Sequence, residues 1–136
     1  MKAKLILLGL LLSGIIILYP LDISQPTTGP HGGELKQAEN FNIEMRTSFP
    51  NLYVYLLDQK LKPVNNKGIA CEIKFFFRDD TSIDLTLKPY QNDGFIIESG
   101  KIVYNSCRVT FTVFGKSISA KFENEKGSFE IKKAAA

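Results

Sequence analysis

Tryptophan is absent from this chain of 136 residues, histidine occurs once, and cysteine and methionine occur twice each. Without tryptophan there is no indole platform for a ligand. With His31 as the only histidine, a Ser-His-Asp triad would have to recruit it from a Gly/Pro-rich stretch near the amino terminus. No Gly-x-Ser-x-Gly elbow and no phosphate-cradling glycine loop occurs. A surplus of one charge is missing too. Against 14 Asp and Glu stand 17 Lys and Arg, a net charge of +3, and Lys2 and Lys4 belong to the amino-terminal apolar segment. The rest is near neutral with its charges interspersed, which argues against a nucleic-acid binder, since that class presents a basic face. Neither cysteine has a Cys or His neighbour at zinc-ligand spacing.

What is present begins with a leader. Lys2 and Lys4 precede an apolar run, residues 5–18, that continues through Tyr19-Pro20-Leu21 and ends at Asp22. A basic region followed by an apolar one is an export signal. The run is short for a spanning helix and long for a cleaved signal, so residues 1–22 read as a signal peptide or as a retained membrane anchor. No cysteine follows it to carry a lipid. In both cases the basic end stays inside and the remainder lies outside the cytoplasm, periplasmic or held at the membrane. Residues 23–30 are rich in Ser, Thr, Pro and Gly and read as a linker. Residues 31–124, roughly a hundred, suit one hydrophobic core, and residues 125–136 form a tail.

Within 31–124 apolar and polar residues alternate in seven short runs, with turn residues between them and no convincing helix. The runs are 41–46, 52–57, 69–77, 82–87, 95–98, 107–114 and 117–122. Period-two alternation is the mark of half-buried antiparallel strands. The expected fold is all-β, an immunoglobulin-like antiparallel β-sandwich of about seven strands. Pro89 is read as a strand stop. Asp79-Asp80 and Asp93 fall in turns, where aspartate serves local hydrogen bonding.

Three groups stand out. Cys71 and Cys107 both fall on apolar strand faces, and an exported domain is in oxidising surroundings. A disulfide between them would close a loop of about 36 residues and stabilise by roughly 3–4 kcal/mol. Two free buried thiols are the alternative. Tyr53, Tyr55, Phe76 and Tyr90 present either an exposed aromatic surface or a covered one, since Leu57 shares a face with Tyr53 and Tyr55. His31 lies in Thr28-Gly29-Pro30-His31-Gly32-Gly33-Glu34. Its imidazole suits Cu or Zn, with Glu34, Glu44 and Met45 as co-ligands. Alternatively Gly32 and Gly33 shape a structural turn whose His bonds the backbone.

Taken together, Gly29-Pro30-His31-Gly32-Gly33-Glu34-Leu35, Phe41-Asn42-Ile43-Glu44-Met45, residues 52–58, Lys62-Pro63-Val64, Lys67-Gly68 and residues 113–122 carry a resemblance. The chain resembles small exported bacterial β-domains that open with Pro-His-Gly-Gly. Such domains stand alone or accompany heavy-metal efflux systems, including periplasmic adaptor proteins of copper/silver and cobalt/zinc/cadmium pumps. The resemblance implies an envelope β-sandwich linked to metal handling, and it carries over His31 with Gly32 and Gly33. The chain departs from a full adaptor in having no coiled-coil hairpin or lipoyl-like segment. It departs from a dedicated copper carrier in having no Met- or His-rich tract. The expected function is therefore a non-enzymatic exported accessory domain in heavy-metal homeostasis, with a metal-efflux or other envelope protein as partner. The alternative is an envelope protein–protein interaction module with no metal role. A hydrolase is the weakest reading, for want of a nucleophile–base pair.

Overall fold

The structure is a computed structural model that describes residues 27–98 and 102–124, and the backbone of 130–131. The expected leader (1–22), the first part of the linker (23–26) and most of the expected tail lie outside the described residues. The described part is all-β, and no helix in it is long and apolar enough to cross a membrane.

Eleven strands follow in order: β1 (Glu34–Ala38), β2 (Phe41–Ser48), β3 (Asn51–Leu57), β4 (Ala70–Phe76), β5 (Ser82–Thr86), β6 (Lys88–Tyr90), β7 (Gly94–Glu98), β8 (Ile102–Val103), β9 (Ser106–Val113), β10 (Lys116–Glu123) and β11 (Glu130–Ile131). They form a five-stranded sheet in the order β1-β2-β3-β7-β6, a four-stranded sheet in the order β10-β9-β4-β5, and a β11-β8 ribbon. All pairings are antiparallel.

The seven runs of alternating sequence correspond to β2, β3, β4, β5, β7, β9 and β10. The four further strands lack that signal. β1 is a largely polar edge strand whose order comes from pairing with β2. β6 contains Pro89, which an edge strand tolerates because one side of its backbone has no partner to bond. The residue before β6, Leu87, is buried where the chain crosses from the four-stranded to the five-stranded sheet, and its N–H donates to the Cys71 carbonyl.

The inner faces of the two large sheets bury one core. Ile43, Met45, Leu52, Val54, Leu56, Phe95 and Ile97 come from the first, and Ile73, Phe75, Val109, Phe111, Ile118 and Phe122 from the second. Phe95 meets Phe111 edge-on across the gap at 5.6 Å, and the Cys107 thiol touches the Met45 thioether at 3.7 Å. Fully burying a side chain of this size stabilises by about 1.5–3 kcal/mol.

Of the two readings of the cysteines, the disulfide is corrected and the free thiols stand: Cys71 and Cys107 are free and buried. Both face the core, as their strand positions imply, but β4 and β9 are neighbours in one sheet. Their register sets Cys71 opposite Phe111 and Cys107 opposite Phe75. The cysteines are thus four residues apart along the ladder, about 13 Å, where a bridge needs Cα atoms within about 7 Å.

Candidate functional site

In β2, Ile43 and Met45 point into the core, so Glu44 between them points to the outer face. An outward glutamate is expected to be solvated, yet Glu44 is 0% exposed. The cover is the Pro-His-Gly-Gly run. Residues 29–32 make a β-turn with Pro30 in its second position, closed by the Gly32 N–H on the Gly29 carbonyl at 3.0 Å. The Gly29 N–H donates to the Gly33 carbonyl, and Thr28 pairs with Glu34 beyond it. This small hairpin lies over Glu44.

The Glu44 carboxylate holds the hairpin in place. Its Oε2 accepts the backbone N–H groups of His31 and Gly33, both at 2.8 Å, and its Oε1 lies 2.7 Å from His31 Nδ1. A buried carboxylate is tolerable only with such partners, and bonds to a charged acceptor are the strong kind. The fit is tight. A Cβ on Gly29 would come within 2.6 Å of both carboxylate oxygens, and one on Gly33 within 2.5 Å of the Met45 carbonyl oxygen.

The ring of His31 has a seat as well as a tether. Tyr55 of β3 stands opposite Glu44, and Gly94 of β7 stands opposite Tyr55. The imidazole stacks on the Tyr55 ring. Gly94 leaves room for that ring, since a Cβ there would meet it at 2.7 Å. Next to Gly94, Asp93 brings Oδ2 within 3.2 Å of His31 Nε2, both side chains partly exposed. The turn bearing Asp93 is braced by Asn66, whose side-chain amide donates to the Gln91 and Gly94 carbonyls at 3.1 and 2.9 Å. His31 therefore bridges a buried carboxylate and a surface one.

Of the expected metal set, His31 and Glu44 come together and the other two do not. Met45 turns to the opposite face of β2 and packs on Cys107, because adjacent strand residues point opposite ways. Glu34 is exposed on the Met45 side of its strand, with Lys36 3.5 Å away. Among the described residues no group of three or more His, Cys, Asp or Glu side chains is arranged to hold a metal ion. Gly32, with φ at 83°, lies in the turn, Gly33 follows it with its carbonyl accepting the Gly29 N–H, and the His31 ring meets carboxylates rather than the backbone. Asp93 and Tyr55 are the site residues that sequence reasoning assigned elsewhere, to a turn and to an aromatic face. Only the register of β2, β3 and β7 brings them to His31.

The aromatic group divides. Tyr55 is buried beneath His31, and Leu57 is buried too, so this part of the face is covered. Tyr53 and Tyr90 touch with centroids 4.9 Å apart, and the Arg46 guanidinium lies 4.1 Å above the Tyr53 ring. Arg46 also donates to the Tyr55 hydroxyl at 3.5 Å, which raises its pKa. Phe76 belongs to the other sheet.

The thiols are poorly suited to nucleophilic work. Burial pushes Cys107 up to about 12, with help from the Glu34 and Glu123 charges, and pushes Cys71 higher still. At neutral pH both are protonated, and the thiolate is the reactive form. Comparison of the chain with family models, curated proteins and solved structures finds no match.

Proposed function

We propose that this chain is a non-enzymatic, exported binding domain of the cell envelope that handles a transition-metal ion through His31 Nε2 and the Asp93 carboxylate. We read its two facing sheets as an immunoglobulin-like sandwich with β2, β3, β4, β5, β7, β9 and β10 as the seven principal strands. The observation that carries the metal reading is the orientation of the His31 ring. With Glu44 accepting from Nδ1, a neutral ring turns its Nε2 lone pair toward Asp93, and two acceptors face each other across 3.2 Å. A metal cation shared by the two groups removes that conflict, as does a proton on Nε2. A buried carboxylate behind a ligating histidine is the usual outer-shell arrangement at metal centres. The spacing also fits, since metal–ligand bonds of about 2.0–2.1 Å at a tetrahedral centre set ligand atoms about 3.3 Å apart. Imidazole plus carboxylate suits Zn(II) or Cu(II). Two protein donors leave the remaining positions to water or to a donor from an efflux partner, which suits transfer better than storage. The resemblance to Pro-His-Gly-Gly domains of heavy-metal efflux systems supports the same reading.

The second reading is an envelope interaction module with no metal role. It is favoured by the engagement of His31 in folding contacts with Glu44 and Tyr55. Calorimetric titration of the full chain with Zn(II) and Cu(II) separates the two. Asp93→Asn leaves the Glu44 contacts in place and is expected to weaken binding about tenfold or more, with the unfolding temperature unchanged. Affinity that is undetectable in the parent chain, or equal in Asp93→Asn, would remove the metal role.

A further inference from the structure

The connections of the two sheets gather at two ends. One end holds the β1–β2 turn, the 58–69 connection, the 91–93 turn and the Phe114–Gly115 turn. Side chains and backbone tie these together: Lys116 Nζ meets Glu39 Oε1 at 2.7 Å, Gln59 donates to Asn40 at 3.4 Å, and the Asn66 N–H donates to the Asn92 carbonyl at 2.9 Å.

Phe114 stands at the tip of this end and is 100% exposed. It is also in the left-handed backbone region, φ 50°, followed by Gly115 at 79°. A two-residue turn of this kind favours Asn-Gly or Asp-Gly, and a bulky aromatic in its first position is disfavoured. A fully solvated phenyl ring adds nothing to the core, so its contribution lies outside the fold. The same end carries exposed Lys60, Lys62 and Lys67 on the 58–69 connection, and none of the ion pairs formed among the described residues engages them. The acids of this end are occupied. Glu39 holds Lys116, Asp58 accepts the Lys60 and Lys62 backbone N–H groups, and Asp93 faces His31. The opposite end carries Asp79, Asp80, Glu98 and Glu123 beside a single exposed Arg78 in its 77–81 turn.

The course of the chain points the same way. The Leu35 N–H donates to the Thr27 carbonyl and Thr28 pairs antiparallel with Glu34, so residues 27–28 run against β1. Thr27 lines one surface pocket with Gln37, Gln59 and Leu61, the last two on the 58–69 connection. In the sequence four residues, 23–26, join Thr27 to the expected leader, residues 1–22. Four residues reach at most about 14 Å.

We propose that this loop end docks on an anionic phospholipid bilayer, with Phe114 entering the headgroup–acyl boundary and Lys60, Lys62 and Lys67 lying against lipid phosphates. An exposed apolar side chain on a loop end that also carries lysines is the physical pattern of an interfacial anchor, and each lysine near a negative surface adds attraction. The inference rests on the retained-anchor reading of residues 1–22 and on the proposed export of the domain, and it is independent of metal.

The test uses the full chain. Because the sequence has no tryptophan, F114W supplies a single emitter at the tip and F49W one at the opposite end. Each is mixed with vesicles of phosphatidylcholine alone, or with phosphatidylglycerol added, part of the lipid carrying brominated acyl chains. Co-flotation reports seating of the leader, and bromine quenching reports docking of the tip. The expected result is blue-shifted, quenched emission from F114W in phosphatidylglycerol vesicles, with no quenching of F49W. In phosphatidylcholine, or with K60E, K62E and K67E combined, the F114W quenching falls by about twofold or more. Co-flotation with unshifted, unquenched F114W overturns the docking and leaves the leader reading intact. Equal quenching in both lipids overturns the anionic surface, and equal quenching of F49W overturns the orientation. Failure of the chain to float with either vesicle overturns both the leader reading and the docking.

Discussion

The imidazole of His31 lies flat on the phenol ring of Tyr55, with centroids 3.5 Å apart and planes 4° from parallel. This stack and the Glu44 carboxylate convert a Gly/Pro-rich stretch, which has little order of its own, into a fixed cover on the outer face of the five-stranded sheet. The same contacts aim Nε2 at Asp93.

Glu44 is the keystone of that cover, so its removal is expected to be costly out of proportion to its surface-facing position in β2. Glu44→Ala strands two buried backbone N–H groups and releases the His31 ring. A loss of about 2–5 kcal/mol is expected, the cost of leaving two backbone donors unpaired. Urea unfolding measures it, and a loss below about 1 kcal/mol would show that water satisfies those N–H groups instead.

Gly29 and Glu44 should couple. Gly29→Ala drives a Cβ against the carboxylate and is expected to destabilise by about 1–3 kcal/mol, as overpacking does. In a Glu44→Ala background the clash is gone, so the alanine at position 29 should cost little more. The double-mutant cycle is then non-additive by about 1 kcal/mol or more. Additive effects would place the steric conflict elsewhere.

The thiols give a pH dependence. Folding raises both cysteine pKa values from the ordinary 9.0, Cys107 to about 12 and Cys71 further, chiefly through burial. Above pH 9 the unfolded thiols lose protons that the folded ones keep, so the folded state binds more protons there. This contribution to stability is complete below pH 9 and is lost as pH rises toward 12. Denaturation midpoints should fall across that window, and less so in Cys71→Ala/Cys107→Ala measured against its own neutral-pH value. Ellman's reagent should find both thiols unreactive at neutral pH until the chain unfolds.

Phe114 should be replaceable with a gain in stability. Phe114→Asn gives the turn the Asn-Gly pair that a left-handed two-residue hairpin prefers, and it removes an aromatic that touches no core. An increase of about 1 kcal/mol is expected from thermal or urea unfolding. A loss would mean that the ring supports the hairpin.

The alternation of Phe41, Ile43 and Met45, or of Cys107, Val109, Phe111 and Val113, was enough by itself to determine the all-β class and the inward faces. Side-chain direction in a strand is local and has period two. The inward direction of both cysteines was legible for that reason, and so was the turn-forming role of Gly32. The opposite directions of Glu44 and Met45 follow from the same rule, which separates them as ligands of one ion. What local pattern does not contain is the partner across the ladder. Register alone set Cys71 four residues from Cys107, aligned Glu44, Tyr55 and Gly94 in one row, and brought Asp93 to His31. Burial of Glu44 needed one step more, the folding of residues 29–33 back over the outer face. The carboxylate and the glycines that accommodate it are far apart in strand periodicity and meet only in the folded chain.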